Sequence, residues 1–197
     1  MRIKDVMSSP VVTVTSYTSI KQAAALLVQH GFNALPVVDG AELVGIVTEA
    51  DLVPLEARPD PRSRILPVPA DQAPVPHTVA EVMTRKVITL PPKEDAARAA
   101  HLMLRGSLRS IPVTDGGQVV GMVTRRDLLR VLARHDDEIR RELVAALADE
   151  LPDACVTVTV ADGIVTLGFR SWLGPRDRRL AELLARIVPG VLSVRSV

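Results

Sequence analysis

The chain has 197 residues, 47% of them hydrophobic, which is enough for one ordinary domain or two to three small ones with a buried core. Its formal net charge of +1 and its four aromatic residues disfavour nucleic acid as a partner, because neither a strong positive field nor a set of stacking side chains is available. The single cysteine, Cys155, has no intrachain partner, and the sequence shows neither a signal-peptide core nor an apolar run of about 18 residues. We therefore expect a soluble cytoplasmic protein.

The first fifty or so residues predict a strand, a helix, a β-hairpin and a second helix, in that order. "VVTVTS" at 11–16 is a short β-rich run, and the apolar residues after it follow helical spacing up to Gly31: Ile20, Ala23, Ala24 and Leu27. "LPVVDGAELVGIVT" holds two β-rich runs around an Asp-Gly turn, which is a strong hairpin signal. "EADL" then begins a second helix, which Pro54 cuts short.

The same pattern occurs a second time. Residues 6–52 match residues 82–128 without a gap, so that Val6-Met7 returns as Val82-Met83 and Gly45 as Gly121. Between the copies, residues 54–76 contain seven prolines, which predict a stiff, extended connector. We therefore divide this part of the chain into a first repeat (1–56), a linker (57–78) and a second repeat (79–135).

Residues 136–197 predict a small separate domain with the order α-β-β-α-β. Its first helix has the apolar stripe Ile139, Leu143, Leu147 and Leu151. "CVTVTVADGIVTL" alternates strictly around an Asp-Gly turn and predicts a hairpin in which Cys155 is a small buried hydrophobe. A second helix begins at Pro175, with the stripe Leu180, Leu183, Leu184 and Ile187, and "VLSVRSV" is a last strand.

The repeated unit resembles the CBS domain, whose tandem pair forms the Bateman module. The resemblance is carried by "DVMSSPVVTV" with "EVMTRKVITL", "LPVVD" with "IPVTD", and "GIVTEADL" with "GMVTRRDL". It implies an α/β (α+β) fold in which two tandem β-α-β-β-α repeats pack pseudo-symmetrically, bind adenosyl-type ligands in the clefts between them and associate into flat dimers. It implies no chemistry of its own.

The C-terminal segment resembles a BON domain through "VADGIVTL" and "ARIVPGVLSVRSV". It departs from that family's usual L-x-G-x-V, since Gly168 directly follows Leu167. The resemblance implies a domain that contacts envelope or phospholipid surfaces, or a protein partner.

Each hairpin runs into its second helix through a Thr-x-x-Asp junction, Thr48 to Asp51 and Thr124 to Asp127. Such a junction is a capping box, in which the threonine and the acid satisfy the first amides of the helix. The same geometry suits a nucleotide, because free amides attract phosphate and a carboxylate accepts from ribose hydroxyls. Gly121 and its counterpart Gly45 lie inside predicted strands, where glycine often marks the close approach of another group, and this favours the ligand. The two interpretations are compatible.

The two predicted clefts differ in charge. The first copy has Asn33-Ala34 before "LPV" and Glu49 after Thr48, whereas the second has Arg109-Ser110 before "IPV" and Arg125-Arg126 after Thr124. Arginine pairs with phosphate and glutamate repels it, so we expect Arg109 to complete the Thr124 and Asp127 cleft as the stronger phosphate site. Arg125 and Arg126 are equally consistent with a solvated helix face. The full set of expected nucleotide-binding residues is Thr124, Asp127, Arg109, Gly121, Thr48, Asp51, Asn33 and Thr13.

These observations favour a non-enzymatic regulatory protein that binds AMP, ADP, ATP or S-adenosylmethionine. Its four histidines are dispersed without metal-ligand spacing, and the sequence carries no nucleophile or phosphate-loop motif. Apolar residues on the first helix of each repeat, 26–28 and 102–104, predict a homodimer through the CBS pair. The alternative is an envelope- or phospholipid-associated protein in which the CBS pair is a dimeric scaffold. A third interpretation, compatible with the first, is an auxiliary subunit that gates a separate enzyme or transporter.

Overall fold

The computed structural model describes residues 1–53, 76–151 and 155–197. The first repeat begins with a 3₁₀ turn at Ile3–Asp5, followed by α1 (Ile20–His30), β1 (Ala34–Asp39), β2 (Glu42–Thr48) and α2 (Glu49–Leu52). β1 and β2 form the predicted antiparallel hairpin, and Gly40 takes the positive φ of 66° that its tight turn requires. Pro54 and the linker as far as residue 75 lie outside the described residues.

The second repeat has the same order of elements. It contains α3 (Val79–Val82), α4 (Ala96–Arg105), β3 (Ser110–Asp115), β4 (Gln118–Thr124) and α5 (Arg125–Leu132). The β3–β4 hairpin pairs Val113 with Gly121, as β1–β2 pairs Val37 with Gly45, and the register of both hairpins shifts at the next residue. The predicted repeat, its helices and its hairpins are therefore confirmed.

The predicted first strand of each repeat is wrong as an extended strand. Val14 and Leu90 each form only one isolated parallel bridge, to Val37 and to Val113. The Val14 amide donates to the Pro36 carbonyl, so the next bond of a parallel ladder needs the N–H of residue 36. Proline has no N–H, and Pro112 stands in the same place beside Leu90, so neither ladder continues towards the N-terminus; on the other side of Val14, the Ser16 N–H donates to the Asp39 side chain at 3.1 Å.

The beginning of each repeat packs into the core of the other repeat. Ile3 is fully buried with Met103, Ile111 and Val113 of the second repeat. Val79 and Met83, from the start of the second repeat, lie in the core of the first, which also contains Leu27, Leu35 and Val47. Backbone pairs hold the exchanged segments to the opposite hairpins, Ser8 to Met122 and Thr84 to Ile46. Neither core is complete without the other half of the chain.

The group that approaches each strand glycine is a methionine of an exchanged segment. A side chain on Gly121 would collide with the sulfur of Met7, and one on Gly45 would lie 2.6 Å from the Met83 sulfur. The close approach expected at these glycines is therefore present, but internal packing accounts for it. Ligand contact at Gly121 stays a prediction, and the close approach at this glycine no longer supports it.

The C-terminal domain has the predicted order α-β-β-α-β. It comprises α6 (Asp136–Glu150), β5 (Val156–Ala161), β6 (Ile164–Phe169), α7 (Pro175–Ile187) and β7 (Ser193–Ser196). β5 and β6 pair antiparallel, and β7 pairs parallel to β6. The α6 stripe and Cys155 are buried as expected. The predicted α7 stripe is wrong in part, because the helix buries Ala181 and Ala185 instead and leaves Leu183 and Ile187 exposed.

The C-terminal domain is fastened to the end of α5. Arg134, just after that helix, donates to the Pro189 carbonyl at 2.7 Å and to the Glu142 carboxylate at 2.6 Å. The Asp136 carboxylate accepts the backbone N–H groups of Asp162 and Gly163 at 2.7 and 2.9 Å. The hairpin turn of the C-terminal domain is thus tied to the junction between α5 and α6. Throughout the part of the chain described here, no helix is long and apolar enough to cross a bilayer.

Candidate functional site

Two clefts lie between the repeats and are built from corresponding positions of the two copies. The first cleft, about 510 Å³, is lined by the segment 84–88, by 107–110 and by the start of α2. The second, about 420 Å³, is lined by the matching segments 8–12 and 30–34 and by the start of α5. Both volumes are in the range of small-molecule sites. Each cleft therefore joins the Thr-x-x-Asp helix start of one repeat to residues of the other.

The Thr124 to Asp127 junction forms a complete capping box in the second cleft. The Asp127 carboxylate accepts from the backbone N–H and the hydroxyl of Thr124 at 2.9 and 2.6 Å, and the Asp127 N–H donates back to the Thr124 hydroxyl at 3.2 Å. Its other oxygen accepts from Arg130 at 3.0 Å and from Ser8 at 3.5 Å. Only 5% of Asp127 is exposed, so this is a buried charge with hydrogen-bond partners on both oxygens. The capping interpretation is confirmed, and it leaves the ligand interpretation open.

The Thr48 to Asp51 junction repeats the two bonds from threonine to the acid in the first repeat, but the Thr48 hydroxyl accepts no return bond from the helix. Asp51 accepts from the N–H and hydroxyl of Thr48 at 2.8 and 2.7 Å. Thr48, Glu49 and Ala50 line the first cleft, together with Val53 just after α2, whereas Asp51 is not among its lining residues. Glu49 forms an ion pair with Arg109 across the cleft, 3.7 Å between charged atoms. The charges of these two side chains balance each other in the first cleft.

The prediction that Arg109 completes the second cleft is wrong. The carbonyl of Arg109 accepts the first amide of α5, while its side chain lines the first cleft beside Glu49. Arg125 has neither of its two expected roles, a phosphate contact or a solvated helix face. Its guanidinium donates to the carbonyls of Leu108 and Met103, both at 2.8 Å. It closes the C-terminal end of α4. Arg126 is the member of the pair that lines the second cleft.

The remaining expected site residues are divided between the clefts and other places. Asn33 lines both clefts, as does Ser110. Thr13 was misplaced: it lies in a separate groove with Thr15, Thr18 and Gln22. The cause is the early end of the first strand, which turns residues 13–18 into a loop before α1.

The sequence interpretation missed several lining residues. Ser8 and Thr84 are matching hydroxyl residues that follow the repeated Val-Met pair, and each lines a different cleft. This shared hydroxyl was a usable signal. Lys86 in the first cleft and Arg130 in the second lie where the other repeat has proline, so the repeat comparison gave no signal for them.

A capped helix start precedes the segment that supplies Thr84 and Lys86. Glu81 accepts from the hydroxyl and N–H of Thr78 at 2.7 and 2.9 Å, and from the His77 N–H at 3.2 Å. The hydrogen bond from the Thr78 side chain, followed by those from the Thr78 and His77 backbone, lowers the pKa of Glu81. A charged Glu81 therefore holds the start of α3.

A family comparison agrees with this arrangement. The CBS domain model matches residues 3–57 and 79–134, and a CBS domain-containing protein of Bacillus subtilis, YhcV, is 31% identical over 126 residues, which is 64% of this chain and 81% of that protein. The chain belongs to the CBS domain family and carries the domain twice.

Among individual relatives, the L-aspartate semialdehyde sulfurtransferase of Methanocaldococcus jannaschii is 34% identical over 131 residues, 66% of this chain. The chain spans only 23% of that enzyme's length. The matched part is thus the CBS pair and a minor share of the larger protein.

Two solved structures share the fold and contain bound ligands. The CBS pair of protein MJ0100, in complex with 5′-methylthioadenosine and S-adenosyl-L-methionine, has a TM-score of 0.57 and 33% identity, and the match covers 68% of this chain and 96% of that one. CBSX2 in complex with AMP has a TM-score of 0.55 and 28% identity, with coverage of 66% and 93%. Both matches support the pseudo-symmetric CBS fold of this chain.

Proposed function

We propose that this chain is a regulatory sensor whose CBS pair binds AMP, ADP, ATP, S-adenosylmethionine or a related adenosyl ligand. The observation that carries the proposal is the second cleft, in which a buried carboxylate at a helix start faces residues of the other repeat. The likeness to CBS pairs in complex with 5′-methylthioadenosine, S-adenosyl-L-methionine and AMP supports it.

The second cleft is the better phosphate site in this proposal, although not through Arg109. Arg126 and Arg130 both line it, the latter paired with Asp127, whereas the first cleft has Lys86 and an arginine that faces Glu49. His30 and Phe32 stack at 5.0 Å between ring centroids beside the same cleft and offer a flat surface to an adenine base. Phosphate, ribose and base would each find a matching group in this cleft.

A non-enzymatic role is part of the proposal. The clefts combine caps, backbone pairs and arginines, which bind and orient a ligand, and the sulfurtransferase relative matches only over the CBS pair. A change in ligand concentration would then act on whatever the rest of the protein contacts.

We also propose that the CBS pair forms a homodimer. Val28 and Leu104 occupy matching positions of α1 and α4 and are 83% and 77% exposed. A second copy that covers these two side chains would remove a symmetric apolar surface from water.

The C-terminal domain is proposed to carry the signal to a partner or a surface. It has its own core, and Arg134 ties it to the end of α5, the helix whose start lines the second cleft. Ligand in that cleft would thus act on the element to which the domain is fastened. Flotation of the full chain with anionic phospholipid vesicles distinguishes the envelope-associated alternative, which requires binding, from a protein partner.

A thermal-shift panel of AMP, ADP, ATP, S-adenosylmethionine and NAD tests the ligand proposal. A ligand at about 100 times its Kd stabilises the folded state by roughly 2.7 kcal/mol, which shifts the melting temperature of the CBS pair upward. Isothermal titration then gives Kd and stoichiometry for the best ligand. Absence of any shift across the panel at millimolar concentration, about the weakest useful affinity, would contradict the sensor function.

A further inference from the structure

All acceptor positions of the Asp127 carboxylate are occupied within the protein. One oxygen accepts two bonds from Thr124, and the other accepts from Arg130 at 3.0 Å and from Ser8 at 3.5 Å. A carboxylate offers about four lone-pair sites, so these partners use them all. A ligand diol that donates to Asp127 must therefore displace one of these partners. Arg130 and Ser8 are the ones to displace, because the bonds from Thr124 belong to the helix cap.

Arg130 is the partner whose displacement depends on the charge of the ligand. Its side chain is 67% exposed in the cleft, while Asp127 is buried. A phosphate gives the guanidinium a new anion with which to form paired hydrogen bonds, so Arg130 leaves Asp127 without losing its ionic partner. A neutral nucleoside offers no such anion. A neutral nucleoside therefore either makes no ribose contact with Asp127 or displaces Arg130 and leaves a buried carboxylate without its cation. Both outcomes lower the affinity of the nucleoside.

We propose that Arg130 is a specificity-determining residue through which the second cleft selects phosphate-bearing adenosyl ligands over neutral nucleosides. This rests on the proposed function. The position that matches Arg130 in the first repeat is Pro54, which has no charge, so the selection belongs to the second cleft alone. Arg126 provides an internal comparison, because it carries the same charge in the same cleft but is not among the partners of Asp127.

The experiment isolates the second cleft in the full chain. Ala50→Trp fills the first cleft, and the matching position of the second repeat already holds Arg126, so the fold accommodates a long side chain there. In this background, Arg130→Met and Arg126→Met are each titrated with AMP and with adenosine. Arg130→Gln serves as a second variant, and thermal melts establish that every variant is folded.

Arg130→Met is expected to tighten adenosine binding by about threefold to tenfold, since an exposed charge-assisted pair no longer competes for Asp127. The ratio of AMP to adenosine affinity should fall at least about tenfold, because the phosphate partner is also lost. Arg126→Met should weaken AMP binding without tightening adenosine binding, because Arg126 is not among the partners of Asp127. Tighter adenosine binding in Arg130→Met but not in Arg126→Met identifies the Arg130–Asp127 pair as the cause.

Three results would overturn this assignment, and they differ in what they imply. Unchanged or weaker adenosine binding in both Arg130 variants, with AMP still bound by the parent, refutes only the role of Arg130. Loss of all binding on Ala50→Trp places the ligand in the first cleft and removes selection from the second. Failure of the unmodified chain to bind AMP, adenosine or any other ligand of the thermal-shift panel refutes the proposed function itself.

Discussion

Replacing Gly121 with alanine is expected to destabilise the CBS pair by about 1–2 kcal/mol. The new methyl group would lie 3.0 Å from Cγ and 3.3 Å from Cε of Met7, and closer still to its sulfur. Overpacking of this kind costs about 1–3 kcal/mol, whereas a change from glycine to alanine with a compatible backbone stabilises by roughly 0.4–1 kcal/mol. The middle values of these two ranges, about 2 and about 0.7 kcal/mol, leave a net loss of about 1.3 kcal/mol.

The same reasoning predicts a reversal of sign when Met7 is shortened. The three atoms nearest to the added methyl all belong to the Met7 side chain, so in a Met7→Ala background Gly121→Ala should stabilise by about 0.4–1 kcal/mol. The matched pair Gly45 and Met83 is the control. There the methyl also meets the backbone oxygen of Thr84 at 3.2 Å, so Met83→Ala should relieve Gly45→Ala only in part.

Urea unfolding followed by far-ultraviolet circular dichroism measures these free energies. Trp172, the chain's one tryptophan, lies in the C-terminal domain, so its fluorescence gives an internal reference transition. An equal loss from Gly121→Ala with and without Met7 would refute the argument that this glycine makes room for the exchanged segment.

Asp127→Asn should weaken AMP binding by roughly tenfold to more than a hundredfold. Asp51→Asn should weaken it by less, because two arginines line the second cleft. Unchanged titration isotherms with equal losses of stability would show that both residues only cap their helices. Val28→Asp combined with Leu104→Asp should convert the proposed dimer into a monomer by light scattering, and an unmodified chain that is already monomeric at about tens of micromolar would contradict the dimer. Glu81→Gln should lower the melting temperature at neutral pH. Because the folded pKa of Glu81 is lowered below its usual 4.5, this charge-dependent stability is present above pH 4.5 and is lost as the pH falls through the lowered pKa, so the difference between the two proteins should shrink there; a difference constant with pH would argue against the charged cap.

Features that depend on neighbours along the chain were predictable from the sequence. The hairpins follow from Asp-Gly turns between β-rich runs, and the Thr124 to Asp127 cap spans only three residues. The order of elements in the C-terminal domain follows from its periodicity and its turn. These signals lie within a dozen residues, where spacing alone determines which groups meet.

Features that depend on distant parts of the chain were not predictable. Ser8 donates to Asp127 across 119 positions, and no local pattern connects them. The direction of the Arg109 side chain depends on how the two repeats face each other, which a single copy does not encode. The prediction of an extended first strand was wrong for a similar reason, because Pro36 lies in its partner β1 and not in the strand itself.

The exchange of segments between the repeats fixes when the protein is able to fold. A ribosome that has synthesised only the first repeat has not yet made Val79 and Met83, so that core has a gap where two apolar side chains belong. Ile3, made first, has its pocket only after Ile111 and Val113 have emerged. Fragments that each contain only one sequence repeat would expose an apolar surface, because each would lack the exchanged segment that covers its core. The two repeats look like independent units in the sequence. We expect them to fold in one cooperative step, which requires that nearly the whole CBS pair has been synthesised.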